Sequence, residues 1–241
     1  MKFFFLFNLL LGFCFSAAAH HKIYSPEVEN GRQSLEWRGH FDVDSTNSSD
    51  MAHHHVFETE YSWTSYWQSE LEFHVSDNED YPLDWEKTEF QNQLQIFDHD
   101  NFKAALYFSY NFVTKGENSD EIEYKYLNEI TLNSLSFTTN FIFEKQVGVD
   151  AKKSTEFSLS NYLALSPILN SSLVLGIIGF SEFGEISRFS TFDQQEHQYG
   201  LQFETEFDLN DYDVEIALGW LKGLSNSSPD NTFLWNLEFE F

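Results

Sequence analysis

The chain has 241 residues, among them 39 Asp or Glu and 13 Lys or Arg, and its formal net charge is −26 at pH 7. This acidic balance argues against a nucleic-acid partner, because phosphates would be repelled. An aromatic share of 18% argues against disorder, and the single cysteine, Cys14, leaves the rest of the chain without a disulfide, a thiolate metal site or a cysteine nucleophile.

The first residues have the features of an export signal. A positively charged start is followed by an apolar run, residues 3–15, and by the small residues Ser16-Ala17-Ala18-Ala19. The run is too short for a membrane-spanning helix. We therefore predict a signal peptide over residues 1–19, cleaved after Ala19, and a bacterial exported protein.

From residue 32 to the C-terminus, apolar and polar residues alternate in segments of about ten residues, the length of a tilted membrane strand. In residues 35–43, every odd position is apolar or Gly and every even position is charged or His. Period two predicts a strand with one apolar and one polar face. The pattern recurs around residues 57–63, 67–75, 89–96, 102–112, 122–130, 135–143, 155–163, 173–179, 198–207, 214–220 and 233–241.

The predicted connections alternate between short and long. Short turns are expected near residues 64–65, 98–101, 133–134, 166–167 and 208–211, and longer polar loops near residues 44–54, 76–84, 114–120, 146–153, 184–195 and 222–230. Short turns at one end and long loops at the other are typical of outer-membrane barrels, with both termini at the short-turn end.

We therefore predict an all-β fold: a closed antiparallel transmembrane β-barrel of about twelve strands in an up-and-down meander, over residues 32–241. Residues 20–31 are predicted as a periplasmic N-terminal segment. A soluble sandwich or lipocalin-like barrel would also alternate. Aromatic residues near the predicted strand ends, such as Trp63, Trp67 and Trp220, are typical of interfacial girdles and favour the membrane barrel.

The terminal segment Phe233-x-Trp235-x-Leu237-x-Phe239-x-Phe241 resembles the last strand of Gram-negative outer-membrane proteins. That resemblance implies recognition of Phe241 by the barrel-assembly machinery. The whole mature chain resembles a functionally uncharacterised family of small proteobacterial outer-membrane β-barrel, porin-like proteins, and this resemblance implies location and fold but no activity. It is carried by Ser25-Pro26-x-Val28-Glu29-x-Gly31 with Leu35-Glu36-x-Arg38-Gly39, Phe192-Asp193-x-Gln195-Glu196-His197 and Ser228-Pro229-Asp230-x-Thr232.

If the apolar rows face lipid, parity directs many acids and few bases into the lumen. The strands flanking the turn at residues 64–65 would bring Glu58 and Glu60 opposite Glu70 and Glu72, with no Lys or Arg near them in either strand. Such a cluster attracts cations, as rings of acids do in cation channels. The acids could instead simply keep the lumen wet. The candidate binding residues are Glu58, Glu60, Glu70, Glu72, Glu204 and Glu206.

Histidines give a weak indication of metal binding. His20 and His21 would open the mature chain, and in the run at residues 53–55 only His53 and His55 share a strand face. Imidazole suits Zn, Cu or Ni, and ordinary polar histidines near a membrane surface would look the same. We predict no cofactor.

The sequence favours a passive outer-membrane channel that prefers cations or small polar solutes, with outer-membrane lipid around it. The main alternative is a non-conducting structural or metal- or ligand-binding barrel, which a long ordered plug in the lumen would favour. A lipid-modifying enzyme is a distant third possibility. We predict no enzyme, because no G-x-S-x-G, H-E-x-x-H or P-loop motif is present.

Overall fold

The structure is a computed structural model, and it describes residues 21–44, 50–78, 81–114, 119–149, 151–165, 172–210 and 212–241. The predicted signal peptide, its cleavage site after Ala19 and the candidate ligand His20 lie outside the described residues. The strands are β1 (Gln33–Val43), β2 (His53–Thr64), β3 (Trp67–Asn78), β4 (Tyr81–His99), β5 (Phe102–Val113), β6 (Asp120–Leu132), β7 (Leu135–Val147), β8 (Glu156–Leu165), β9 (Leu173–Glu185), β10 (Glu196–Leu209), β11 (Tyr212–Gly223) and β12 (Asn231–Glu240).

The twelve strands form one closed barrel in which each strand pairs antiparallel with its neighbours in sequence. Pairing of β1 with β12, from Ser34 opposite Glu240 to Val43 opposite Asn231, closes it. The predicted closed up-and-down meander of about twelve strands is therefore confirmed. A 3₁₀ turn, Phe192–Gln194, precedes β10. Within the described ranges, no helix is both long and apolar enough to cross a membrane.

The two ends of the barrel differ in their connections. At one end, the turn end, the connections 65–66, 100–101, 133–134 and 210–211 are short, and β1 begins and β12 finishes there. At the other, the loop end, five connections are longer: 44–52, 114–119, 148–155, 186–195 and 224–230. The sixth was predicted wrongly as a loop over residues 76–84, because β3 and β4 continue pairing as far as Asn78 and Tyr81.

The outward face of the barrel is apolar, as parity predicted, and the inward face is polar along the first strands. Phe57, Phe73 and Phe90 are exposed on the outside, while Glu58, Glu72 and Glu89 are buried inside. The interior is not polar all round, however. Acids and amides from β1 to β7 line one wall, whereas Tyr162, Ile178, Phe180, Leu221 and Leu234 from β8 to β12 form an apolar cluster on the other.

The chain before β1 folds back into this interior. A turn over Glu29–Arg32, with Arg32 N–H donating to the Glu29 carbonyl at 3.2 Å and Gly31 at φ +84°, reverses its direction at the turn end. A positive φ favours glycine at this position. Residues 21–28, here called the N-terminal segment, then run inside the barrel with Tyr24 and Val28 buried.

Residues 20–31 were predicted as a periplasmic segment, and the structure places residues 21–28 of it against inward side chains of the barrel. The physical reason is that backbone groups of an unpaired segment need partners when buried. The inward side chains of Gln93, Gln95 and Asn140 supply them. The compartment onto which the turn end opens remains a prediction.

Candidate functional site

The N-terminal segment is tied to the acidic wall by side-chain amides. Asn140 accepts the Tyr24 N–H at 2.8 Å and donates to the Tyr24 carbonyl at 2.9 Å. Gln95 accepts the Val28 N–H at 3.1 Å, and Gln93 donates to the Ser25 carbonyl at 2.9 Å. These hydrogen bonds satisfy the backbone of a segment that belongs to no strand, and so fix it across the interior.

Aromatic and charged side chains add to this anchor. The Lys125 ammonium lies 4.0 Å from the ring centre of Tyr24 and 4.1 Å from that of Tyr107, which allows cation–π attraction to both. The same ammonium lies 2.9 Å from Glu123, and both side chains are fully buried. The Tyr24 ring of the segment therefore lies against a fully buried ion pair.

The four glutamates predicted as one cluster do meet inside the barrel. In the β2–β3 register, Glu58 lies opposite Glu72 and Glu60 opposite Glu70, and all four are buried. The loop between the strands is the two residues 65–66, and the register shifts between Ser62 and Thr64. That shift keeps the inward parity of both strands.

Two bases from outside these strands cross-link part of the cluster. Arg38, from β1, contacts Glu36 and Glu58, and its guanidinium lies 2.7 Å from Glu72. Lys22, from the N-terminal segment, lies 2.6 Å from Glu58 and 3.4 Å from Glu36. Sequence reasoning missed Lys22, because no periodic pattern placed its segment inside the barrel.

The remaining pair, Glu60 and Glu70, shares a neutral partner. Gln68 donates one amide group to both, at 3.1 Å to Glu60 and 2.9 Å to Glu70. One oxygen of each carboxylate is buried without a hydrogen bond. Because opposed like charges destabilise a sheet, this half of the cluster favours a nearby cation.

A cavity of about 300 Å³ lies in the half of the interior nearer the turn end. Its walls bring together carboxylates from both sides of the barrel, and the N-terminal segment forms its roof through Lys22 and Tyr24. It is large enough for several waters or a small solute. The lining carboxylates include Glu58, Glu60, Glu70, Glu204, Glu215 and Glu238.

The last two candidate acids lie on the far wall. Glu204 lines the cavity and accepts a hydrogen bond from the Gln202 amide. Glu206, opposite Glu215 near the turn end of β10, is exposed. The structure therefore groups Glu204 with the β2–β3 glutamates across one cavity and leaves Glu206 at its margin.

The described candidate histidines do not share one site. His21 is inside, with its ring nitrogens 3.2 Å from His40 and 2.7 Å from Gln198. His53 and His55 are outside, where His55 packs beside Trp37 and Trp235.

Instead, three histidines that the sequence analysis did not single out lie on the inner wall. His40 pairs with His54 in register, and His54 Nε2 lies 3.3 Å from His74 Nδ1. All three occupy even positions on β1 to β3, so the parity rule that found the glutamates could also have found them.

Comparison with known proteins identifies solved structures with a similar fold. No protein-family model matches the sequence, and no significant match to a curated protein is found. Solved structures of the NanC porin and of the KdgM porin in complex with disordered oligogalacturonate are similar in fold, at 12% and 9% identity with TM-scores of 0.57 and 0.55. Each match covers 86% of this chain and 98% of the porin. The chain therefore has the fold of outer-membrane porin-like barrels.

Proposed function

We propose that this protein is a porin-like barrel of the bacterial outer membrane that passes small polar solutes and prefers cations. The observation that carries the proposal is the cavity inside a closed twelve-stranded barrel, where carboxylates from opposite walls outnumber the bases. Rings of acids raise the local concentration of cations and repel anions. The apolar outward face supports insertion in lipid.

The N-terminal segment would regulate this pathway. Its residues 21–28 cross the interior, and Tyr24 and Val28 are buried there. A pathway through the barrel then opens only when this segment moves. A segment held inside the barrel also supports the second candidate function, a non-conducting barrel. The strand number does not decide between the two, because a twelve-stranded interior is intermediate between filled small barrels and open large ones.

Planar-bilayer recording separates the two functions. The mature chain is compared with a variant lacking residues 20–31 and with a variant in which those residues are replaced by a Gly/Ser segment of equal length. We expect the first to conduct little and the other two to conduct well, with cations favoured most at low salt, where charges are least screened.

Silence of all three proteins in bilayers would favour the non-conducting barrel. An anion preference in either open variant would refute the proposed selectivity. Location is tested separately by fractionation of a Gram-negative host and by the gel mobility of unheated protein in detergent, which a closed barrel shifts relative to heated protein. Recovery as a detergent-free soluble monomer would contradict the membrane assignment.

A further inference from the structure

Two glutamates and a histidine meet on the inner wall away from the cavity. Glu72 and His74 lie on β3, and Glu89 lies opposite Glu72 on β4. All three side chains are fully buried. His74 Nε2 lies 2.7 Å from Glu72 Oε2 and 3.8 Å from Glu89 Oε2, and one ligand atom of each residue lies within 4.8 Å of the others.

The Glu89 carboxylate is only half satisfied. The Tyr107 hydroxyl donates to Oε1 at 3.3 Å, whereas the buried Oε2 accepts no hydrogen bond. Lys87 Nζ lies 3.7 Å from Oε2 and His74 Nε2 lies 3.8 Å from it, both beyond hydrogen-bonding distance. A buried carboxylate oxygen without a hydrogen bond is costly, and ion pairs at these distances offset only part of that cost, so this atom has the capacity to bind a closer cation.

Neighbouring groups orient the other two residues. His74 Nδ1 lies 3.3 Å from His54 Nε2, so one imidazole can hold the other ring in place while His74 Nε2 faces the two carboxylates. Arg38 lies 2.7 Å from Glu72 Oε1 and leaves Oε2 directed toward His74. Metal-binding histidines and carboxylates are commonly held by such outer partners.

The charges around this place also favour a cation. Among the residues that the structure describes, the buried acids are Glu36, Asp42, Asp44, Glu58, Glu60, Glu70, Glu72, Glu89 and Glu123, and the buried Lys and Arg residues are Arg38, Lys87 and Lys125. Even with the partly buried Lys22, negative groups remain in excess. A divalent cation bound beside the fully buried Glu72 and Glu89 would offset part of that negative excess.

We propose that His74 Nε2, Glu72 Oε2 and Glu89 Oε2 bind one divalent transition-metal ion of the zinc type. Zinc bound at about 2.0–2.2 Å places its ligand atoms roughly 3.3 Å apart, between the two distances measured from His74 Nε2. One imidazole with two carboxylates suits zinc. Calcium requires more oxygen ligands and magnesium retains several waters, so neither fits this dry site.

The test uses the full mature protein, purified in detergent through a tag without histidines and stripped with a chelator. Zinc binding is followed by calorimetry and by metal analysis after dialysis, and Co²⁺ absorption reports the coordination. We expect one zinc per chain, no competition from millimolar Mg²⁺, and a loss of affinity of at least about tenfold in His74→Gln and, separately, in Glu89→Gln.

Matched controls identify the site. His55→Gln changes a neighbouring histidine that faces outward, Asp42→Asn changes an inward carboxylate that accepts a hydrogen bond from Thr232, and His21→Gln changes an inward imidazole that contacts His40 and Gln198. All three should bind zinc as the unchanged protein does. If His74→Gln does not fold, Glu89→Gln decides. Failure of the unchanged protein to bind zinc, or wild-type affinity in Glu89→Gln, would overturn the proposal.

Discussion

The Asn140 side chain takes the place of a neighbouring strand for Tyr24. Its Oδ1 accepts the Tyr24 N–H at 2.8 Å and its Nδ2 donates to the Tyr24 carbonyl at 2.9 Å, the pair of bonds that two residues exchange in an antiparallel ladder. Ser160 donates to the same Oδ1 at 3.1 Å and orients the amide. One inward side chain thereby fixes the segment that crosses the interior.

The first prediction follows from this contact. Asn140→Leu leaves the backbone of Tyr24 without two partners, which should lower the free energy of unfolding by about 2 kcal/mol and release the N-terminal segment. Single-channel recording should then show more frequent or larger openings than in the unchanged protein. Asn161→Leu, on an outward-facing position of β8, is the matched control. Equal conductance in all three proteins would mean that Asn140 does not hold the segment.

The second prediction treats the two glutamate pairs of the acidic cluster separately, because different side chains contact them. Glu60→Gln with Glu70→Gln removes a like-charge pair that has only Gln68 between its members, so the free energy of unfolding should rise by about 1 kcal/mol. The cation preference at low salt should fall. Both effects are measured on the same protein, by urea unfolding and by reversal potentials.

The double variant of the other glutamate pair, Glu58→Gln with Glu72→Gln, should change the free energy of unfolding in the opposite direction. It removes two of the three carboxylates that hold the buried Arg38 guanidinium, and it should lower the free energy of unfolding by about 3 kcal/mol. If the two double variants change the free energy of unfolding in the same direction, the ion pairs of Arg38 do not determine the stability of this wall.

The third prediction concerns strand packing at a glycine. A Cβ on Gly200 would lie 1.7 Å from the backbone carbonyl oxygen of Trp220 on β11, so Gly200→Ala requires the strands to separate. The expected loss in the free energy of unfolding exceeds about 3 kcal/mol. Gly219→Ala is the control, because the atoms nearest its new Cβ belong to the Leu234 side chain, at 3.1 to 3.3 Å, and not to the backbone. Urea titration of both variants in detergent measures the difference.

The fourth prediction concerns the C-terminal residue. The Phe241 N–H donates to the Gln33 carbonyl at 3.0 Å, a backbone bond that any residue except proline could make, while half of the Phe241 residue surface is exposed. Phe241→Ser should therefore fold in detergent as well as the unchanged protein, yet reach the outer membrane in smaller amounts in cells. Unaltered amounts of folded protein in that membrane would show that the assembly machinery does not require this ring.

The sequence by itself determined the barrel and the direction of its side chains. Period-two alternation is a local property, so it is sufficient to direct Glu58, Glu60, Glu70 and Glu72 inward, whereas their opposition in pairs also depends on the register shift between Ser62 and Thr64. The same rule would have placed His74 beside Glu72. Alternation does not determine loop bounds, because the polar residues 76–84 carry no pattern that distinguishes a loop from an extended hairpin.

Only the tertiary structure decided what fills the interior. Residues 21–28 have no periodic pattern, and their position depends on hydrogen bonds from side chains as distant in sequence as Asn140. Likewise, the charge of the acidic cluster depends on Arg38 and Lys22, which neither strand of the cluster contains. Alternation fixes which face a residue occupies, whereas the partners it meets there depend on how the strands close and on what chain enters the space between them.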